Sequence, residues 1–401
     1  MQTATPAYPQ APAARSRPAS FSYPRPSDPV PEPAPGLLAL EGGTVHRGLL
    51  RGSPIGVDGD LIFTTAATGW GEILTDPSYA GQIVVLTHPM AGNYRIDAAE
   101  LESAAVRARG LVVSRLVDPP AGAGWSLEEL LRAAGVPALT GVDTRAITLE
   151  LRRGAARRAV IRPGATGDEE AVAAARTSVR WETVDHVAAV ATRQPYEVAP
   201  AAPLRGRAVL VDYGVKRSLL AAVAARGFAI RVLPPDAAPA DVAASGPDLV
   251  VLSPGPGDPS RMTPQIAAVR ELAARAAAGG PPILGICLGH QLLALATGAR
   301  TKRLAVGHHG GNHAVIEVDT GRVDIGAHNH EVAVVDDPAL GTAGYAVSHR
   351  DLNDGTVEGL VHRSGRIASV QFHPEGAPGP IDAARVFDLA AASALAGSNA
   401  A

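Results

Sequence analysis

A single cysteine, Cys287, is present among the 401 residues, and there is no excess of basic side chains. One cysteine cannot form an internal disulfide, which argues against a disulfide-stabilised secreted scaffold. The formal net charge of -3 offers no basic surface for a phosphate backbone, so we expect no nucleic-acid binding. No apolar run reaches the roughly 20 residues of a membrane helix, and the N-terminus lacks the apolar core of a secretory signal. We therefore expect a cytoplasmic protein that is not bound to a membrane.

Aromatic residues and lysines are also scarce, at 4% of the chain and at two positions, Lys216 and Lys302. Hydrophobic residues nevertheless make up 46%, enough for two cores built from small aliphatic side chains. The length fits two domains plus a tail, at roughly 100–200 residues per domain. The two lysines are either remnants of a strong arginine bias or occupy places where a guanidinium does not fit.

Proline content divides the chain. Residues 1–36 contain ten of the 34 prolines and are predicted to be a disordered tail. Residues 37–190 are predicted to form the first domain, a mixed α/β unit. Residues 191–204 carry three prolines without a clear period and are interpreted as a linker. Residues 205–396 are predicted to form the second domain.

The apolar pattern predicts the elements of both domains. In the first domain it predicts strands over 37–41, 61–65 and 82–87, and helices over 98–107, 126–134 and 143–153. In the second, short apolar runs alternate with helical segments from 207 to 297, which predicts a doubly wound, mostly parallel sheet. Further strands are predicted over 313–318, 343–348, 357–361 and 366–372, before a closing helix over 380–396.

Cys287 lies where a buried strand runs into a helix, with Gly285 and Gly289 two residues away on either side. This is the cysteine form of the nucleophile elbow, a sharp turn that leaves no room for neighbouring side chains. The helix N-terminus favours a thiolate. The backbone N–H of Leu288 is predicted to point at a developing oxyanion. The alternative, a buried structural cysteine, does not explain the flanking glycines.

A base for this cysteine is expected at His373, at the end of a predicted strand. Pro374 keeps the chain extended, so that His373 and Glu375 point the same way. Glu375 can then accept a hydrogen bond from the imidazole. A surface His-Pro-Glu turn is the alternative, and the nearby elbow favours the catalytic interpretation of Cys287, His373 and Glu375.

These motifs resemble the class I glutamine amidotransferases. Other stretches resemble the small subunit of carbamoyl-phosphate synthetase in particular: 68–84, 143–146, 212–217, 252–259 and 307–313. The resemblance covers residues 37 to about 396. It implies that Cys287 attacks the side-chain amide of glutamine, that His373 transfers the proton and that Glu375 orients it. It also implies a set of glutamine-binding residues: Ser78, Gly255, Gly257, Leu288, Gln291, Asn329, Glu331 and Val332.

The family implies a partner. The chain has no phosphate-binding loop of the Walker type, so we expect no cofactor in this chain. The resemblance implies a large subunit, in a heterodimer or higher oligomer, that uses ATP and Mg. That subunit would combine bicarbonate with the ammonia released from L-glutamine, giving carbamoyl phosphate for arginine or pyrimidine biosynthesis.

One family block departs from its usual pattern. Asn-His-Gly followed by an aromatic residue is usual, whereas this chain has Asn329-His330-Glu331-Val332. If position 331 requires a positive φ, Glu331 is strained by about 1 kcal/mol or more. This change motivates a second hypothesis, a diverged or non-catalytic paralogue that acts as a binding partner of a synthetase. A stand-alone γ-glutamyl amide hydrolase of the same fold is a third hypothesis, which the complete N-terminal domain disfavours.

The sequence also contains a group of closely spaced histidines. Their spacing fits no standard zinc signature, and the resemblance accounts for most of them, so we expect no metal site. These residues are His308, His309, His313, His328 and His330.

Overall fold

The computed structural model describes residues 32–154 and 157–398. Within these residues, the N-terminal strands form a closed barrel in the order β1–β2–β8–β6–β4–β3–β9, and β5 pairs with β7 beside it. The strands are β1 (Ala34–Leu40), β2 (Val45–Gly52), β3 (Val57–Thr64), β4 (Gln82–Leu86), β5 (Met90–Ala91), β6 (Gly110–Val113), β7 (Arg115–Leu116), β8 (Pro137–Thr140) and β9 (Arg158–Pro163).

Alternation along each strand produces the two cores of this domain. On β4, Ile83 and Val85 face the barrel interior, whereas Val84 and Leu86 pack beneath the surrounding helices. The helices are α1 (Trp70–Thr75), α2 (Leu127–Ala134), α3 (Thr144–Arg152), α4 (Asp168–Thr177) and α5 (Val187–Val190).

The predicted helix over 98–107 is wrong. Only Ala98–Glu100 forms a short 3-10 turn, and Leu101 is already extended. Tertiary partners then take the backbone groups that a helix would need: the N–H of Glu102 donates to Oγ1 of Thr75 at 2.8 Å, and that of Arg107 to the carbonyl of Leu74 at 2.7 Å. These contacts override the local helical spacing.

The second domain is built on a ten-stranded sheet in the order β10–β12–β11–β13–β14–β19–β18–β16–β15–β17. Its strands are β10 (Tyr196–Val198), β11 (Gly206–Val211), β12 (Phe228–Leu233), β13 (Leu249–Leu252), β14 (Ile283–Ile286), β15 (Thr301–Glu317), β16 (Val323–Val334), β17 (Tyr345–Asp351), β18 (Val357–His362) and β19 (Ile367–Val370). Its helices are α6 (Arg217–Ala224), α7 (Pro239–Ala244), α8 (Thr263–Ala277), α9 (Leu288–Ala296), α10 (Pro338–Thr342) and α11 (Arg385–Ser398).

The centre of the sheet, from β12 to β19, is parallel and is covered on both faces, as the alternation predicted. Val209 and Val211 belong to one core, and Ala208 and Leu210 to the other. The α/β fold class is therefore confirmed. The other half of the sheet, from β19 to β17, is antiparallel.

The antiparallel half contains a long hairpin, β15–β16, whose second strand the sequence analysis missed. Gly326 and five polar side chains interrupt the apolar pattern of β16, although most of the strand is buried. Residues on this hairpin reach both the cysteine and the first domain.

Three further observations bear on the predicted organisation. Residues 1–31 of the predicted tail lie outside the described residues, and β1 begins at Ala34. Within the predicted linker, β10 pairs with β12 and forms one edge of the sheet. None of the helices in the described part of the chain has both the length and the apolar character needed to span a bilayer.

Candidate active site

Cys287 occupies the turn between β14 and α9. Its φ of 51° and ψ of -104° make it one of two non-glycine residues with a positive φ among the described residues. Such a conformation costs on the order of 1–3 kcal/mol and persists only where the surroundings enforce it. The sulfur is buried, with the residue 2% exposed.

The flanking glycines are required by close packing. A Cβ at Gly289 would meet the carbonyl oxygen of Leu252 at 2.3 Å, and one at Gly285 would meet Leu293 Cδ1 at 2.6 Å. Neither β13 nor α9 can move away without separating the parallel strands from the helix. The turn that the sequence predicted is therefore present for the predicted reason.

His373 and Glu375 follow β19. The Nδ1 of His373 lies 2.8 Å from Oε1 of Glu375, and both residues are buried. The backbone N–H of His373 donates to the carbonyl of Ala327 at 2.8 Å, which ties this segment to β16. On the other side of the ring, Nε2 is buried without a hydrogen-bond partner among the described residues. This leaves that nitrogen available to a reacting group.

The protonation state of this pair follows from its neighbours. Burial lowers the pKa of His373, but the Glu375 carboxylate raises it more strongly, to about 10. Burial raises the pKa of Glu375, but Lys216 and His373 outweigh it and lower the pKa to about 2. At neutral pH the pair is therefore an imidazolium beside a carboxylate, with a proton available on the imidazole.

Lys216 completes the charged group. Its Nζ lies 3.2 Å from Oε1 of Glu375 and donates to the carbonyl of Gly376 at 2.8 Å, while the side chain is only 2% exposed. Sequence analysis flagged this lysine as one of two in the chain but could not place it at the catalytic group. Lys302, the other lysine, is exposed.

A cavity of about 300 Å³ opens beside the sulfur and brings together nearly all of the predicted site residues. Leu288 instead follows Cys287 at the start of α9, and His373 borders a second cavity together with Lys216 and Asn329. The predicted residues that line the first cavity are Ser78, Gly255, Gly257, Cys287, Gln291, Asn329, Glu331 and Val332.

Two polar side chains in this cavity differ in their freedom to bind a ligand. Oγ of Ser78 is buried and has no partner within the described residues. The amide nitrogen of Gln291 donates to the carbonyl of Val332 at 2.7 Å and to Oε1 of Gln371 at 3.0 Å. The amide of Gln371 in turn lies 3.5 Å from Sγ of Cys287. Gln291 therefore fixes the cavity wall, whereas Ser78 has an unused hydroxyl.

A chain of hydrogen bonds connects the first domain to the cavity. Asp76 accepts from the backbone N–H of Ser78 at 2.9 Å and from the side-chain amide of Asn329 at 2.9 Å. Oδ1 of Asn329 lies 2.9 Å from Nδ1 of His309, whose Nε2 lies 2.7 Å from Oε1 of Glu331. Ser78 thus reaches the second domain through the neighbouring carboxylate, and the cavity lies at the domain interface.

The backbone strain that a positive φ would impose on Glu331 is absent, because this residue does not have a positive φ in the structure. Its carboxylate instead forms a buried ion pair with Arg157 of the first domain and lies 3.5 Å from Arg303. Arg303 also contacts Asp60 and Glu182 of the first domain. The substitution at this position therefore adds charged contacts between the domains.

Asp76, His309 and Gln371 join the site without having been predicted as site residues. Each acts through a contact between segments far apart in sequence, so neither periodicity nor spacing indicates them. Their nearness in the sequence to predicted residues or motifs was the one usable signal. Asp76 lies two residues before Ser78, and Gln371 lies two residues before His373. His309 belongs to the family-like stretch 307–313.

Family comparisons divide the chain in the same way as the fold. Residues 38–161 match the carbamoyl-phosphate synthase small chain, CPSase domain, and residues 209–392 match glutamine amidotransferase class-I. The carbamoyl phosphate synthase small chain of Methanopyrus kandleri is 42% identical over 357 residues, covering 88% of this chain and 96% of the relative. The chain belongs to the carbamoyl phosphate synthase small chain family.

Other members of the family align over a similar length. The small chain of Symbiobacterium thermophilum is 42% identical over 87% of this chain and 96% of its own. The pyrimidine-specific small chain of Halalkalibacterium halodurans is 40% identical over 88% of this chain and 94% of its own. The resemblance inferred from the motifs is therefore confirmed over both domains.

Proposed function

We propose that this chain is the glutamine-hydrolysing small subunit of a carbamoyl-phosphate synthetase. The observation that carries the proposal is that Cys287 lines the same cavity as the unpaired hydroxyl of Ser78, while the buried His373–Glu375 pair lies next to the cysteine. Family membership supports the same reaction. The alternative of a non-catalytic partner loses its main motive, because Glu331 is accommodated without backbone strain. A stand-alone hydrolase is disfavoured by the match of residues 38–161 to the small-chain domain.

The reaction begins at the sulfur. The Cys287 thiolate attacks the side-chain carbonyl carbon of L-glutamine, and charge develops on the carbonyl oxygen near the N-terminus of α9, where we expect the N–H of Leu288 to stabilise it. The C–N bond then breaks, and the departing nitrogen takes the proton from Nε2 of His373. The products of this half are ammonia and a glutamyl thioester.

The second half returns the enzyme to its starting state. Water donates a proton to the now neutral His373 and attacks the thioester carbon, which releases glutamate and the thiolate. Glu375 keeps its hydrogen bond to Nδ1 in both halves, and the ring therefore keeps its orientation. Ser78, Gly255, Gly257, Gln291, Asn329, Glu331 and Val332 are the proposed glutamine-binding residues.

The released ammonia needs an acceptor. We assign that role to the large subunit, as a heterodimer or higher oligomer, with ATP and Mg used by that partner and no cofactor in this chain. The name small chain, shared by the relatives, supports such a partner. The arginine and pyrimidine pathways are the two expected uses of the product.

Ammonia release from glutamine, measured for wild type and Cys287→Ala with and without the large subunit, tests the proposal. We expect turnover only in wild type, and a higher rate when the partner, ATP and bicarbonate are present. Free ammonia should still support carbamoyl phosphate synthesis by the Cys287→Ala complex. Equal glutamine-dependent synthesis by both proteins would overturn the assignment.

A further inference from the structure

A buried cluster of three histidines and one glutamate lies on the antiparallel half of the second sheet. His308 comes from β15, His328 and His330 from β16, and Glu358 from β18. All four residues are buried, and one ligand atom from each lies within 4.8 Å of the others. The described residues provide no lysine or arginine contact to the Glu358 carboxylate.

The three imidazoles converge on that carboxylate. Nε2 of His328 lies 3.0 Å from Oε2 of Glu358, and Nδ1 of His308 lies 3.6 Å from Oε1. Nε2 of His330 lies 3.7 Å from the same Oε1. The contacts of His308 and His330 are too long for hydrogen bonds, and both nitrogens are buried without a partner among the described residues.

The outward-facing nitrogen of each ring already faces an oxygen acceptor. Nε2 of His308 lies 3.0 Å from Oδ2 of Asp354. Nδ1 of His328 lies 3.3 Å from the carbonyl of Gly326, and Nδ1 of His330 lies 3.0 Å from the carbonyl of Val332. A carboxylate or carbonyl on the outer nitrogen is the usual way in which a metal-binding histidine is oriented.

The three neutral imidazoles carry fewer protons than there are acceptors facing their nitrogens. Each of the three rings faces an acceptor at both nitrogens, whereas a neutral imidazole carries only one proton. With the protons on the outer nitrogens, three lone pairs point towards one carboxylate. The nitrogen lone pairs and the negative carboxylate then repel one another unless a cation lies between them.

We propose that His308, His328, His330 and Glu358 bind a divalent transition-metal ion of the zinc class. Three imidazoles and one carboxylate are suitable ligands for zinc, whereas magnesium and calcium prefer oxygen ligands. Tetrahedral zinc with bonds of about 2.0–2.1 Å needs ligand atoms roughly 3.4 Å apart. The three imidazole nitrogens lie 3.0, 3.6 and 3.7 Å from the Glu358 carboxylate, close to that spacing. Four buried protein ligands indicate a closed, structural site.

The position of the site gives the ion a specific effect. Side chains alternate along β16, so His328 and His330 lie on one side of the strand and Asn329 and Glu331 on the other. A metal bound by residues of β15, β16 and β18 would restrict the motion of β16, the strand that borders the cysteine cavity. The sequence analysis predicted no metal because these ligands come from three strands, and that prediction remains untested.

Metal content of the tag-free protein, purified without chelator, tests the proposal independently of glutamine hydrolysis. We expect about one zinc per chain in wild type, and a rise in Tm when zinc is added to chelator-treated protein. Cobalt added in place of zinc should give the visible absorption of a tetrahedral ion. The Asp354→Asn variant should bind the metal roughly 10- to 100-fold more weakly, because it loses the carboxylate that orients His308.

Matched variants locate the ion. His328→Gln and Glu358→Gln should lose it, whereas His349→Gln, which changes a half-buried histidine on β17 outside the cluster, should retain it. His313→Gln should also retain it, which separates this cluster from the neighbouring group of His308, His313 and Asp351. The absence of both zinc binding and the tetrahedral cobalt spectrum in folded wild type would overturn the proposal. Equal metal loss in His349→Gln would do the same.

Discussion

Nζ of Lys216 lies 3.2 Å from Oε1 of Glu375, in a contact that is closed to solvent on both sides. The same Oε1 lies 2.8 Å from Nδ1 of His373. One carboxylate oxygen therefore meets the ammonium and the imidazolium. Because Lys216 precedes α6 and Glu375 follows β19, this ion pair connects the start of the second domain to its catalytic end.

Lys216→Met should damage both stability and catalysis. The change leaves a buried carboxylate without its cation, and the free energy of unfolding should fall by about 3–5 kcal/mol. The kcat for glutamine hydrolysis should fall as well, because Glu375 no longer has a fixed position. Chemical denaturation and ammonia release measure the two effects. Lys302→Met, at the exposed lysine, is the control and should change neither.

The pH profile should reflect the charged imidazole. Glutaminase kcat/KM should stay high through neutral pH and fall at alkaline pH with an apparent pKa of about 10, as His373 loses its proton. The same shift stabilises the fold fully below pH 6.5 and is lost as the pH rises through about 10. An alkaline limb near the ordinary imidazole pKa would contradict this protonation state.

Glu331→Gln should weaken the contact between the domains and the binding of glutamine. The amide leaves Arg157 without its carboxylate partner, and it removes one charged contact from Arg303 and from His309. The KM for glutamine should rise roughly tenfold or more, because a hydrogen bond to a charged group contributes about 1.5–3 kcal/mol.

Asp168→Asn provides the matched control for that variant. Asp168 pairs with Arg47 on the surface, and both side chains are more than half exposed. Exposed pairs contribute little, so Tm and KM should stay at the wild-type values. An equal response of the two variants would show that the network around Glu331 has no special role.

Gly289→Ala should inactivate the enzyme by deforming the elbow. The new Cβ would lie 2.3 Å from the carbonyl oxygen of Leu252, so α9 must shift away from β13. A loss of about 1–3 kcal/mol of stability is expected from overpacking, together with loss of glutamine turnover. Gly341→Ala meets no atom within 4 Å and should be neutral in the same assays. Full activity of Gly289→Ala would refute the packing argument.

Local patterns were sufficient for much of the fold and for the catalytic group. The alternation of strands and helices predicted the parallel sheet, and Gly285 and Gly289 predicted the turn at Cys287. These features leave a signal in local composition and spacing, whichever distant segments the residues contact in the fold.

Features that depend on distant contacts could not be predicted in this way. Closure of the barrel depends on β1 pairing with β9, and β16 lies inside the sheet between β18 and β15, where most of it is buried despite its polar residues. The helix predicted over 98–107 is replaced by hydrogen bonds to Thr75 and Leu74. The role of Lys216 could be recognised only from the fold, because its partner Glu375 lies 159 residues away in the sequence (375 minus 216).

The central claim is that Cys287 carries the glutamyl group. Mass analysis of rapidly quenched wild-type protein mixed with glutamine tests this most directly, with Cys287→Ala as the control. The account predicts a transient glutamyl adduct on the peptide containing Cys287, absent from the variant, with ammonia formed at the same rate as the adduct. Ammonia release by wild type without an adduct at Cys287, or an adduct on another residue, would contradict it.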